Sequence, residues 1–188
     1  MSNKSEDKLE FYLKHKVHLK SRTIDLDDDI DDVSVHAVIR SIHHLISEGA
    51  EDITLNINSF GGSVYDGLAL YDYLMSIRDH VHISTVAMGK CMSMAPVIYL
   101  TGHERYAYPN TTFMFHEASS YAMGPLETMK IEVKETERLS KLMSKLLEQH
   151  TTKSASYWTR IKKDKFMTTK EALVIGVVTQ LIGETDAI

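Results

Sequence analysis

The chain has 188 residues, of which 43% are hydrophobic and 25% charged, with one cysteine and a formal charge of −5. That is the composition of a globular domain with a sizeable core, and it excludes a disordered, collagenous or disulfide-framework protein. The acidic balance weighs against a nucleic-acid binder, and the single cysteine removes any Cys-pair zinc site and fits a reducing compartment. Met1 to Glu10 is polar, mixed in charge and free of arginine, so neither a signal peptide nor a transit peptide is expected. The longest apolar runs, such as Met94 to Leu100, are too short to span a bilayer. A cytoplasmic protein with no membrane contact is therefore expected.

In chain order, a polar N-terminal arm (residues 1–21) precedes a single domain (residues 22–188). Arg22 to Leu26 reads as a short strand. The acidic run Asp25 to Asp32 reads as a solvated loop whose Asp31 or Asp32 caps a helix. That helix carries Val33, Ala37, Val38, Ile42, Leu45 and Ile46 on one face and stops at Gly49. Asp52 to Asn58 alternates as a strand, and Ser63 to Asp79 is helical. Val81 to Met88 is β-branched and strand-like, and Met94 to Leu100 is a buried apolar helix. Arg105 to Tyr108 and Thr112 to Glu117 read as short strands around the turn pair Pro109-Asn110. Leu126 to His150 is a long helix with an apolar stripe through Met129, Val133, Leu139, Leu142, Met143, Leu146 and Leu147. Twenty-five residues is long for one domain, so the stripe is read either as core or as a contact with another subunit. Thr168 and Glu171 form a capping box before a last helix that ends at Gly176. Val177 to Ile182 closes the chain as a strand. This alternation predicts an α/β protein with parallel pairing.

Four segments carry residues suited to chemistry. Asn58-Ser59-Phe60-Gly61-Gly62-Ser63 lies between a strand and a helix, where glycines let backbone N–H groups approach an anion. It lacks the Lys-Ser/Thr pair of a phosphate loop. Ser93, before the apolar helix, reads either as an N-cap or as a nucleophile at the positive end of the helix dipole. His116 ends an apolar strand. Asp164 lies between Lys163 and Lys165 ahead of the last helix. Singly, each has a plain structural explanation. Together they supply a nucleophile, a base, a carboxylate and backbone amides, the parts that acyl transfer requires.

The order and wording of these segments resemble the proteolytic subunit family of the caseinolytic Clp protease, the ClpP serine peptidases. The resemblance runs from about Arg22 to about Ile182. It is carried by Ile57-Asn58-Ser59-Phe60-Gly61-Gly62-Ser63 with Gly67 and Tyr71-Asp72, and by Met88-Gly89-Lys90-Cys91-Met92-Ser93-Met94. Tyr108-Pro109-Asn110 with Met114-Phe115-His116, and Asp164-Lys165-Phe166-Met167-Thr168 with Glu171-Ala172 and Gly176, complete it. The resemblance implies Ser93 as nucleophile, His116 as general base and acid, and Asp164 as the group that orients the imidazole. It implies the Gly62 and Met94 N–H groups as the oxyanion hole, with no metal and no organic cofactor. The implied fold is α/β, the ClpP/crotonase-like spiral of ββα units with a long protruding handle helix at Leu126 to His150. The handle's stripe, Leu142 and Leu146 included, is then expected to be buried mainly by an opposite ring. Residues Ser119 to Pro125 match the strand that lies beside a bound peptide. The implied partners are further copies of the chain, in two stacked heptameric rings, unfolded polypeptide substrates and a AAA+ unfoldase that consumes the ATP. The N-terminal arm does not match the family's axial segment, so the unfoldase is the least supported of these.

Phe60, Cys91, Met92 and Ala95 depart from the family pattern of Pro, Ala, Ala and Gly at those positions. Cys91 is a rival nucleophile by intrinsic reactivity, but its place two residues before Ser93 favours burial. His36, His43 and His44 read as a solvated helix face, and neither His103-Glu104 nor His116-Glu117 extends to a zinc motif. Two alternatives stand beside the peptidase: a non-catalytic structural or regulatory ring subunit, and a crotonase-like acyl-CoA enzyme.

Overall fold

The computed structural model describes residues 11–12 and 14–183. Of the polar arm read at residues 1–21, residues 1–10 and 13 lie outside the described residues. Val17–His18 (β1) pairs antiparallel with Thr23–Leu26 (β2). Helix α1 spans Asp32–Glu48. Asp31 caps it, accepting from the Ser34 N–H while Ser34 answers with its hydroxyl, and Gly49 ends it. Upstream, Asp27 and Asp28 of the acidic run ion-pair with Lys16.

Ile53–Ser59 (β3) leads into Val64–Ile77 (α2), whose first turn is capped by Ser63. Ile83–Met92 (β4) leads into the short helix Ala95–Tyr99 (α3), with Pro96 in its first turn. Glu104–Ala107 (β5), Thr112–Phe115 (β6) and Leu126–His150 (α4) follow. Ala155–Thr159 (α5), Lys165–Thr168 (β7), Thr169–Val174 (α6) and Gln180–Leu181 (β8) complete the order. The Thr168–Glu171 capping box opens α6 as its residues dictate.

The main sheet runs β1-β2-β3-β4-β5-β8, parallel from β2 onward. The core is one cluster between this sheet and helices α1, α2 and α3, with Ile24, Ile42, Leu55, Leu70, Ile98 and Phe113 fully enclosed. β6 leaves the main order. It pairs parallel with the end of β4 and antiparallel with β7.

Three sequence expectations change. First, β4 does not end at Met88 but runs to Met92. Between the pairs Ile57–Ala87 and Ser59–Cys91, β4 advances four residues while β3 advances two. Gly89, at φ +65°, takes up the surplus as a bulge. A glycine that reads as a terminator is the point where β4 turns from β5 to β6. Second, β7 and α5 escape the periodicity, because four or five residues are too few to show a period, and the final strand shrinks to Gln180–Leu181. Third, α4 is divided. Leu139 and Leu147 are buried, and Met143 and Leu146 pack on the core of their own chain. Leu146, expected to be buried mainly by an opposite ring, thus packs half-buried on the core of its own chain. Leu126, Ile131 and Val133, in the N-terminal half, are 61%, 65% and 54% exposed.

Candidate active site

β4 and α3 meet at a sharp elbow. Ser93 occupies it in the left-handed region, at φ +57°. For an L-residue that conformation costs about 1–2 kcal/mol. It is held by the Ser93 N–H, which donates to Met114 O on β6 at 2.9 Å. Ser93 is not the helix cap: Met94 takes that position and makes no side-chain cap bond. The strained turn leaves the Ser93 hydroxyl free to face β6, where Oγ lies 2.6 Å from His116 Nε2. With the imidazole proton on Nδ1, Nε2 accepts from the hydroxyl, which is the arrangement a general base requires.

Asp164 reaches the same imidazole through sheet register. β6 and β7 pair Phe113 with Met167, Met114 with Phe166 and Phe115 with Lys165. One further step along that antiparallel ladder sets His116 opposite Asp164, and directly opposed residues share a face. Asp164 Oδ1 is 3.7 Å from His116 Nδ1. That is an ion-pair distance, too long for a hydrogen bond. The Asp164 side chain is 58% exposed, so the carboxylate is beside the imidazole but not bonded to it.

The glycine loop lies against the nucleophile elbow. A Cβ on Gly61, at φ +101°, would fall 2.5 Å from Ser93 Cβ, so only glycine allows this approach. A Cβ on Gly62 would fall 2.2 Å from Ile30 O. The Ile30 N–H donates to Gly61 O at 2.8 Å and the Ser63 N–H donates to Ile30 O at 2.7 Å. The Gly62 and Met94 N–H groups take no part in these bonds. The Met94 side chain is buried against Gly67. Beside the loop, Lys90 Nζ sits 4.3 Å over the ring of Phe60, which is otherwise exposed.

A cleft of about 720 Å³ opens next to this group. His116 and Asp164 stand in its wall, Met143, Leu147 and Trp158 form an apolar base, and Ser140 adds a hydroxyl. Residues 119–125, read as a strand beside a peptide, form no strand in the chain alone, and Tyr121 and Met123 project outward. Cys91 is fully buried, and burial pushes its thiol well above the ordinary range. It lies in the β3–β4–β6 sheet and does not reach the cleft. His43 packs on Tyr73 and His44 on Phe11. Among the described residues no group of three or more His, Cys, Asp or Glu side chains is arranged for a metal ion.

The ion pair Glu117–Lys162 at the rim and the Tyr65–Glu135–Arg138 group joining α2 to α4 were not legible beforehand. Their residues read singly as solvated charge. Glu135 and Arg138 are i,i+3 neighbours on one helix, but only the fold brings Tyr65 to them and Lys162 to Glu117.

The family model described as Clp protease matches residues 5–185. The chain belongs to the Clp protease family. It is 31% identical over 167 residues to the ATP-dependent Clp protease proteolytic subunit of Carsonella ruddii (strain PV), covering 87% of this chain and 85% of that one. It is 36% identical over 170 residues to the ATP-dependent Clp protease proteolytic subunit 2 of Corynebacterium jeikeium (strain K411), covering 86% and 79%. Clp proteolytic subunits are serine-type peptidases, so the enzyme class that the resemblance implies holds. The mixed eight-stranded α/β architecture is that of the Clp protease fold. Among the described residues no helix is long and apolar enough to cross a membrane.

Proposed function

We propose that this Clp protease chain cleaves unfolded polypeptides with Ser93, His116 and Asp164 as its triad. The observation that carries the reading is the 2.6 Å approach of Ser93 Oγ to His116 Nε2, on a serine strained into a left-handed elbow. His116 Nε2 takes the hydroxyl proton as Oγ attacks the scissile carbonyl. The Gly62 and Met94 N–H groups receive the oxyanion, where each donor is worth about 10²–10³ in rate. His116 then passes its proton to the leaving amine, and an acyl-enzyme remains on Ser93. Water deprotonated by the same imidazole releases the acid. Asp164 fixes the tautomer and stabilises the imidazolium once it closes on Nδ1.

The working particle in this reading is two stacked heptameric rings of the chain, in the cytoplasm. ATP enters only through a AAA+ unfoldase partner. The names of both relatives carry that dependence, and this sequence holds no nucleotide loop of its own. A fluorophosphonate probe, with native mass measured on the same sample, tests the proposal. Wild-type chain is labelled at Ser93 and Ser93→Ala is not. Labelling of the assembled particle elsewhere, or none, refutes it.

A further inference from the structure

Two charged residues at the edge of the candidate triad have no part in the steps above. Glu117 directly follows His116, and Lys162 precedes Asp164 by two residues. Lys162 Nζ lies 2.9 Å from Glu117 Oε2. The β6–β7 ladder ends at the pair Phe115–Lys165, so His116 and Asp164 are the first residues beyond it. Past that point the two chains are free of ladder bonds. Among the described residues, Glu117–Lys162 is the next hydrogen-bonded link between them. On the other flank of Asp164, Lys165 Nζ is held by Tyr157 Oη at 2.6 Å. Asp164 thus sits on a short span pinned at both sides, with its Oδ1 at 3.7 Å from His116 Nδ1.

We propose that the Glu117–Lys162 ion pair is a positioning clamp that holds the Asp164 span against the His116 strand and sets the carboxylate–imidazole separation. The proposal rests on the Ser93–His116–Asp164 reading. Its chemistry is simple. Glu117 occupies the Lys162 ammonium. Without Glu117 that ammonium, two residues from Asp164, is free to compete with the imidazole for the Asp164 carboxylate. Without Lys162 the span loses its tie to the strand that carries His116. An exposed ion pair adds little to stability. The geometry of a base and its carboxylate is far more sensitive, because displacements below 1 Å are felt in the rate.

The experiment measures peptide hydrolysis as kcat and KM for Glu117→Gln, Lys162→Gln, the swap Glu117→Lys with Lys162→Glu, and Ser93→Ala. Native mass is recorded for each. Each neutral variant is expected to lose about tenfold in kcat with KM within about twofold, at wild-type mass. The swap is expected to recover to within about threefold of wild type. A direct charge effect would instead move kcat in opposite senses in Glu117→Gln and Lys162→Gln, and that pattern overturns the clamp. So do wild-type kcat in both neutral variants, a swap as slow as either, or activity lost only together with assembly. Activity that survives Ser93→Ala overturns the triad reading itself. An inactive Ser93→Ala with unimpaired neutral variants overturns the clamp alone.

Discussion

Replacing Gly61 with alanine tests how closely the glycine loop supports the nucleophile. The new Cβ would lie 2.5 Å from Ser93 Cβ, 2.7 Å from Met92 O and 2.9 Å from Met94 N. Carbon atoms in contact sit about 3.5–4.0 Å apart, so the loop and the elbow must separate by about 1 Å. Two of the three obstacles are backbone atoms and cannot swing away. The φ of +101° adds a strain of about 1–3 kcal/mol for any residue with a Cβ. A domain of ordinary stability, about 5–15 kcal/mol, survives that. A displacement of about 1 Å at a nucleophile costs about 10²-fold. The expected outcome is a folded Gly61→Ala protein with kcat and fluorophosphonate labelling rate both down about a hundredfold. Gly183→Ala is the control, since Gly183 is also left-handed, at φ +82°, with nothing within 4 Å of its Cβ position. It should lose little beyond backbone strain. Wild-type kcat in Gly61→Ala would mean that the loop does not brace Ser93.

Asp164→Asn keeps the shape of the span but presents an amide to Nδ1. Peptide hydrolysis should fall by about 10³–10⁴, while far-ultraviolet circular dichroism is unchanged; a loss under tenfold would give the carboxylate no catalytic part. Cys91→Ala should retain peptidase activity, and native protein should resist maleimide, because the thiol is buried and held protonated. Inactivation by maleimide at native temperature would contradict that. His150, at the end of α4, meets Tyr71 Oη at 2.7 Å. Burial, then the Arg105 and Arg78 charges, lowers its pKa to about 4, overriding the helix dipole that would favour the cation. Unfolding returns the group to about 6.5 and the unfolded chain then binds the extra proton. Stability is therefore full above about pH 6.5 and falls as pH drops toward 4, by about 1 kcal/mol after discounting for partial exposure. Thermal unfolding of His150→Gln should lose that part of the slope between pH 4 and 6.5; an unchanged slope refutes the assignment.

Periodicity and capping were enough for the long elements. α1 with its Asp31 cap, α4 from Leu126 to His150 and the Thr168–Glu171 box follow from local rules that the fold does not override. Local rules failed where backbone geometry is set from a distance. The strand read as ending at Met88 resumes beyond a left-handed bulge at Gly89, because β3 and β6 pair with it on the far side. Ser93 reads equally well as a cap, and the Met114 carbonyl, twenty-one residues on, helps to hold it left-handed. The site behaves in the same way. Ser93, His116 and Asp164 could be nominated as residue types, but their meeting depends on the parallel β4–β6 pairing for Ser93 and the antiparallel β6–β7 register for Asp164. β7 is too short to announce itself, so the 3.7 Å gap at Asp164 could not be anticipated. Charges such as Glu117 and Lys162 carry no local pattern at all.

The division of α4 decides where an interface can lie. A helix of 25 residues is about 37 Å long, and its apolar packing on its own domain lies in its second half. Leu146 and Leu147 belong to that half. A charge at the buried Leu147 should unfold the domain, since an unpaired ion in a core costs several kcal/mol, and it would report nothing about assembly. Leu126 and Ile131 are open to solvent in the single chain. Glutamate at both positions should change the stability of the isolated domain by no more than about 0.5 kcal/mol each. In a particle that buries this half of the helix, the same two carboxylates would be desolvated in every subunit. The expected outcome for Leu126→Glu with Ile131→Glu is a smaller particle by native mass, with helical content and subunit melting temperature retained. Leu147→Glu should give the opposite pattern, with helical signal lost at any particle size. A Leu126→Glu, Ile131→Glu protein that remains the full particle would remove the N-terminal half of α4 from the interface. The exposed apolar residues there would then face solvent in the assembly as they do in the single chain.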